Sequence, residues 1–297
     1  MGKFQIKYAI PLVLMAAIFS AAQSGFAQIA GKYYNNSFVV LIRMGVAWAC
    51  IVIWLVIFQR KPRLKTTFHT SQWKLHLLRL FTGTGAVYCL YLALRFVSLS
   101  IALTLSLSYP LFLPIITRIW LKIPIPKKIW WAIVCGFVGI FLVLNPTAAS
   151  FDSRGLIALG SGIFAAIAIL STRLLHRTET TQKILLLFFT GAVVLSVIVY
   201  GFSLIGEPDS INPIEYPFLI YTGICGAFYQ IFFTQSARFA PARFLSPFYY
   251  FAVIFSVLGD WLIWNIVPST EVYIGMGLVI LGAILMTLLF PKNEVIQ

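Results

Sequence analysis

Thr84, Tyr88, Tyr91 and Arg95 recur at intervals of four, three and four, so a helix carries them on one face. Hydroxyls, aromatic faces and a guanidinium in that line suit non-covalent capture of a polar solute. Gln230, Thr234 and Arg238 form a related stripe late in the chain. Gln23 adds an amide inside an apolar run, where it needs partners. Ser106, Ser108 and Tyr109 run into Pro110, with Pro114 one turn on, and Ser246, Pro247, Tyr249 and Tyr250 form a similar group. A proline inside a helix frees a backbone carbonyl, which is tolerated where it meets protein or a water-filled cavity. Tyr88 and Tyr91 are too central in their run for a headgroup-level aromatic belt. The substrate-binding candidates are therefore Gln23, Tyr88, Tyr91, Tyr109, Gln230, Thr234, Tyr249 and Tyr250.

Asp260 is the one acid deep inside an apolar run. A charge at the centre of a span costs roughly 2.5–3.5 kcal/mol, which makes such a residue a functional candidate. Arg43 and Arg95 are expected at similar depth, so an ion pair is the competing structural reading. Bond-making chemistry has little support. The three histidines, His69, His76 and His176, fall in loops or at span ends, which gives no buried histidine relay. There is no phosphate-binding glycine loop, no HExxH and no paired intramembrane carboxylate. Cys50, Cys89, Cys135 and Cys225 lie singly in apolar runs, as small fillers rather than metal ligands. No catalytic residue, metal site or cofactor is expected.

The elements that must position these side chains are membrane spans. The chain has 297 residues, of which 60% are hydrophobic and 10% charged, with a mean hydropathy of +0.93. So few charges cannot coat a soluble domain of this size, and no polar tract remains for a second one. Apolar runs fall at 8–29, 37–58, 76–98, 100–121, 128–145, 154–176, 182–205, 216–238, 243–264 and 271–290. Each approaches the ~20 residues that cross the hydrocarbon as a helix. Only Ser98, Leu99 and Ser100 divide the third run from the fourth. With both termini in the cytoplasm, eighteen of the 22 Lys and Arg residues lie inside; Lys32, Arg43, Arg95 and Arg154 lie outside. The net charge of +14 is thus read as a membrane-orientation signal, not as a nucleic-acid surface. Lys3, Lys7 and the apolar core that follows could pass for a cleaved leader, but the internal repeat gives this segment a counterpart.

That repeat has an offset near 143 residues. Ala93-Leu94-Arg95-Phe96 returns as Ser236-Ala237-Arg238-Phe239, Gly83 matches Gly226, and Gly139 matches Gly282. Ile18-Phe19-Ser20-Ala21 returns, two residues out of step, as Ile163-Phe164-Ala165-Ala166. With five spans per half, the second copy enters the membrane inverted, a recurring plan among transporters. The expected fold is an all-α integral membrane protein of ten transmembrane helices in two inverted five-helix repeats, 1–147 and 148–297.

Several segments then resemble the drug/metabolite transporter superfamily, in its EamA-like family, over nearly the whole chain. They are Tyr91 to Phe96 running into Ser108-Tyr109-Pro110-Leu111-Phe112, Gly136 to Ile140, Ala237-Arg238-Phe239 with Pro247, and Gly275 to Gly282. The family usually carries a Glu after its fourth and ninth helices; Lys122-Ile123-Pro124 and Trp264-Asn265-Ile266 stand there instead. The resemblance implies alternating access around a central cavity lined by the first, third, fourth, sixth, eighth and ninth spans.

The sequence thus points to secondary transport of a small polar or zwitterionic metabolite, such as an amino acid or a compound like S-adenosylmethionine. The alternative is a membrane-embedded enzyme acting on a lipid-linked substrate. The expected location is a bacterial inner membrane, multi-pass, with the bilayer and the metabolite as partners. A homo-oligomer is allowed.

Overall fold

Leu, Ile, Val and Phe surround most of the apolar runs on all sides, so each can satisfy its backbone only as a helix when water is absent. The computed structural model describes residues 6–58, 70–122, 124, 126–144, 153–204, 216–239 and 248–289. Its helices are α1 (Ile6–Ala30), α2 (Asn36–Phe58), α3 (Trp73–Ala93), α4 (Leu99–Ser106), α5 (Tyr109–Leu121), α6 (Lys127–Leu144), α7 (Gly155–Leu175), α8 (Thr181–Ser203), α9 (Tyr216–Phe239), α10 (Phe251–Trp264) and α11 (Thr270–Leu289). Eight stretches are long and apolar enough to cross a membrane, one of them made by α4 and α5 together. Two further apolar helices, α10 and α11, are shorter by the same measure. The ninth run was expected from residue 243; α10 begins at Phe251, and 240–247, with Ser246 and Pro247, lie outside the described residues. Large apolar side chains cover the outside, as at Trp131, Phe202 and Leu262, which are 77%, 70% and 71% exposed.

The third run ends earlier than its hydropathy suggests. After Ala93 the chain turns, and Ser98 starts α4, its Oγ accepting the N–H of Ile101 at 3.5 Å. Pro110 sits in the first turn of α5, and the helix is interrupted at Leu107 and Ser108, whereas Pro114 lies inside the continuous α5. The interruption is built into its surroundings. Tyr250 Oη donates to the carbonyl of Leu107 at 3.2 Å. Ser106 Oγ meets Ser161 Oγ of α7 at 2.9 Å. Gly162 lies so close that a Cβ there would come within 2.9 Å of the Leu105 carbonyl.

α1 packs most extensively on α9, α6 on α11 and α3 on α7, while α2 lies against α8 and α9. Small residues set the closest approach, as is usual between membrane helices. Between α6 and α11, a Cβ on Gly139 would stand 2.6 Å from the Val279 nitrogen, and one on Gly282 would stand 2.7 Å from the Gly136 nitrogen. Neither position admits a side chain without parting the helices.

Asp260 holds a third junction. It is fully buried on α10 and accepts the N–H groups of Leu99 at 3.0 Å and Ser100 at 2.8 Å. These are orphan donors of the first turn of α4, where the helix dipole also favours an anion. The competing structural reading gave Asp260 an ion pair with Arg43 or Arg95, and the structure places neither arginine on it. Arg95 is exposed in the turn after α3, and Arg43 engages Gln23 instead. Backbone amides supply the compensation that an arginine would otherwise provide.

Candidate functional site

α1 and α9 fit closely because small residues such as Ala16, Ala17, Ala27 and Ala227 are buried along them. That contact brings three predicted residues to one place. Arg43 of α2, 5% exposed, donates from Nη2 to Gln23 Oε1 at 3.3 Å and from Nη1 to Met44 Sδ at 3.0 Å. Its Nε has no hydrogen-bond partner. The Tyr91 hydroxyl, also buried, lies beside the same guanidinium without reaching hydrogen-bond geometry. Gly226 of α9 completes the arrangement. A Cβ there would meet Gln23 Oε1 at 2.8 Å, Arg43 Nε at 3.2 Å and Arg43 Nη2 at 3.5 Å.

A tyrosine cluster adjoins this arginine. Tyr229 of α9 stacks on Tyr249 with ring centroids 5.8 Å apart and planes 20° apart. Tyr249 Oη donates to Ser20 Oγ of α1 at 2.9 Å. Tyr109, at the start of α5, lies within electrostatic reach of both. Tyr229 in turn lies within reach of Arg43 and of a second buried cation, Arg79 of α3. Arg79 is 8% exposed, its guanidinium sits 5.0 Å from the Phe188 ring centre, and its Nε is unpartnered. The acids among the described residues are Glu179, Asp260 and Glu271. Among those residues, neither arginine forms an ion pair. Charges left so little exposed are held by neutral dipoles and by an aromatic face.

The other predicted residues are placed differently. Tyr250 spends its hydroxyl on the Leu107 carbonyl, which is a structural duty. Tyr88 turns toward α8, where its hydroxyl lies near Ser196, while its carbonyl accepts from Asn36 Nδ2 at 3.2 Å. Gln230 is half-buried on α9, one position beyond Tyr229. Thr234 is on α9, with a side chain that falls outside the described residues, as does that of Arg238. Sequence reasoning missed Tyr229 and Arg79. The first was signalled by Gly226, Tyr229 and Phe233 at intervals of three and four. Arg79 carried no such signal, because a basic residue near a span end reads as a loop charge.

A further polar cluster lies at the start of α3. Glu179, in the turn between α7 and α8, contacts His76 Nε2 at 2.6 Å and Lys183 Nζ at 3.2 Å, and accepts from the Thr70 hydroxyl. Burial pushes the Glu179 carboxyl up, but hydrogen bonds from Thr70, His76 and Lys183 outweigh it, and its pKa lies below the ordinary value. His76, read as a loop or span-end residue, is 6% exposed. Beside this cluster is a pocket of about 350 Å³, lined in part by His176, Glu179, Gln182 and Gln235. None of the predicted binding residues with described side chains lines it, and no tyrosine of the cluster does.

A model of the EamA-like transporter family matches residues 7–145 and, a second time, 155–288. The chain belongs to the EamA-like transporter family. As a member, it is a multi-pass membrane protein of a transporter family, with a small-molecule substrate in the relatives whose names give one. It is similar to a riboflavin transporter of Vibrio cholerae, 25% identical over 282 residues that make up 93% of this chain and 91% of the relative. A pseudopaline exporter of Pseudomonas aeruginosa is 23% identical over 67% of this chain and 70% of its own length. An S-adenosylmethionine uptake transporter of Rickettsia conorii is 25% identical over 73% of this chain and 72% of its own. A crystal structure 16% identical to this EamA-like chain shares its fold, with a TM-score of 0.65 over 95% of this chain and 98% of the other.

Proposed function

We propose that this EamA-like protein is a secondary transporter of a small polar or zwitterionic metabolite, working by alternating access between two inverted halves, 1–147 and 148–297. The observation that carries the substrate reading is the meeting of Gln23, Arg43 and Tyr91 around a guanidinium with an unpartnered nitrogen, beside a cluster of Tyr229, Tyr249 and Tyr109; five helices and the segment just before α10 supply the six residues. Such a set binds and releases a polar solute but offers no acid/base pair for bond-making. The relatives' names give riboflavin, pseudopaline and S-adenosylmethionine as their substrates, which supports a small-molecule substrate here.

The inverted arrangement is supported by contacts between residues that the repeat makes equivalent. Tyr250 meets Leu107, and Cys135 Sγ meets the Leu278 carbonyl at 3.8 Å; each pair is 143 residues apart. Residues that touch their own counterparts are expected beside a pseudo-twofold axis. The orientation with both termini in the cytoplasm of a bacterial inner membrane rests on the basic-residue asymmetry; an active periplasmic reporter fused after Gln297 would overturn it.

The test of function is uptake and counterflow in liposomes holding the purified protein, against riboflavin, S-adenosylmethionine and an amino-acid panel. The expected result is saturable counterflow of at least one compound without ATP. Turnover of a lipid-linked substrate with no counterflow would favour the enzyme alternative.

A further inference from the structure

A guanidinium carries five N–H donors in a planar fork, and its Nε and one Nη form an edge that matches the two oxygens of a carboxylate. In Arg43, Nη1 is turned toward Met44 Sδ and Nη2 spends one donor on Gln23 Oε1. Nε is unpartnered in a residue only 5% exposed. The edge left over, Nε with the second Nη2 hydrogen, faces Gly226. That residue has no side chain to cover the edge, and any other residue would put a Cβ against it.

The Tyr91 hydroxyl, a second buried group without a hydrogen-bond partner, lies beside the same guanidinium from α3. Gln23 has its oxygen on Nη2 and therefore orients the fork rather than neutralising it. An isolated cation in this setting is costly unless an anion joins it for part of the working cycle. Among the described residues no carboxylate is available for that. Glu179 is taken by His76 and Lys183, Asp260 by the amides of α4, and Glu271 is exposed at the start of α11.

We infer that the Nε–Nη2 edge of Arg43, with the Tyr91 hydroxyl beside it, is the subsite for a carboxylate carried by the substrate. The inference rests on the transport reading and narrows its substrate class. In the described state α9 is closed on α2 at Gly226, and the carboxylate enters when these helices part by the width of an oxygen atom. The adjoining stack of Tyr229 and Tyr249 then receives the body of the molecule, so a planar or aromatic carboxylate fits better than a small aliphatic one.

The test compares N-acetyltryptophan with N-acetyltryptophanamide, which differ only in the carboxylate, by thermal unfolding of the full-length protein in detergent. The carboxylate should raise the Tm saturably, and the amide at equal concentration should not. Arg43→Gln should weaken the carboxylate's apparent affinity roughly tenfold or more, the scale of a lost charge-assisted bidentate contact. Gly226→Ala removes no polar group but puts a methyl against the edge and pushes the flexible Gln23 side chain aside, and should weaken the affinity similarly, which keeps the test decisive if Arg43→Gln does not fold. Equal stabilisation by both compounds, no stabilisation by either, or an unchanged preference in both variants would overturn the inference. Counterflow of a neutral metabolite that survives Arg43→Gln would overturn the subsite alone. Absence of counterflow for every metabolite would overturn the transport reading.

Discussion

Lys122 and Asn265 stand 143 residues apart, and each ends a helix in the left-handed conformation, with φ of 57° and 53°. They are the non-glycine residues of positive φ among the described residues. Asn265 closes its helix with its N–H on the Trp261 carbonyl at 3.1 Å, and Ile266 follows on that of Asp260 at 3.0 Å. The coincidence supports the proposed duplication, since one backbone turn recurs at the repeat offset in unlike residues. Asn accepts this conformation readily, whereas Lys pays about 1–2 kcal/mol for it. Lys122→Asn should therefore leave the protein as stable or raise it by up to about 1 kcal/mol, while Asn265→Ala should lower it by about 1 kcal/mol. Thermal unfolding of the two variants in detergent measures both, and a destabilised Lys122→Asn would contradict the argument.

Asp260→Asn retains an acceptor for one of the two amides it now serves and loses the charge; Asp260→Ala loses both contacts. A buried donor left unsatisfied costs about 1–3 kcal/mol. The yield of folded protein should fall in the order wild type, Asn, Ala. Counterflow and pH-gradient-driven uptake should decline together in the Asn variant, because the carboxylate caps a helix rather than carrying a proton. Full counterflow with selective loss of gradient-driven uptake would make Asp260 a coupling residue instead.

The first eight of the ten expected runs coincide with stretches long and apolar enough to cross a membrane, because hydropathy and length are local. Where hydropathy is flat, the pattern fails: it runs the third span on to residue 98, although the chain turns after Ala93 and Ser98 caps α4. Asp260 announced itself as a buried acid, but its partners at Leu99 and Ser100 could not be read, since backbone amides leave no mark in composition. Arg43, Gln23 and Tyr91 were each legible as polar groups in apolar runs. Their meeting depends on Gly226, whose role is the absence of a side chain. Gln230 drew notice as an amide, while its neighbour Tyr229 takes the contact with Tyr249. The pairing of His76 with Glu179 spans 103 residues between two span ends, where no periodicity connects them.

Cysteine replacements should separate the tyrosine cluster from its neighbours. In a background without Cys50, Cys89, Cys135 and Cys225, Tyr109→Cys, Tyr229→Cys and Tyr249→Cys should react with a small polar thiol reagent and be protected by substrate. Tyr88→Cys, turned toward α8 and Ser196, should gain no such protection. Protection confined to Tyr88→Cys would move the site to the α3–α8 side.

Glu179 should make stability depend on pH. Its folded-state pKa lies below the ordinary carboxyl value because the contacts with Thr70, His76 and Lys183 outweigh its burial. A group with a depressed pKa stabilises the fold above its unfolded value, near ~4.3, and that contribution disappears as pH falls through the lower folded value. At pH 7 Glu179→Gln should therefore reduce the Tm, by roughly 2–4 °C if about 1 kcal/mol is lost. The gap between wild type and variant should hold down to about pH 5 and close as the pH falls below about 4. His76→Gln should also lower the Tm at pH 7, since it removes the 2.6 Å contact while leaving Lys183 in place. Unfolding of detergent-solubilised protein from pH 3.5 to 7 tests the series. A Glu179→Gln gap independent of pH would assign the cluster to neutral hydrogen bonding, with no part for the carboxylate charge.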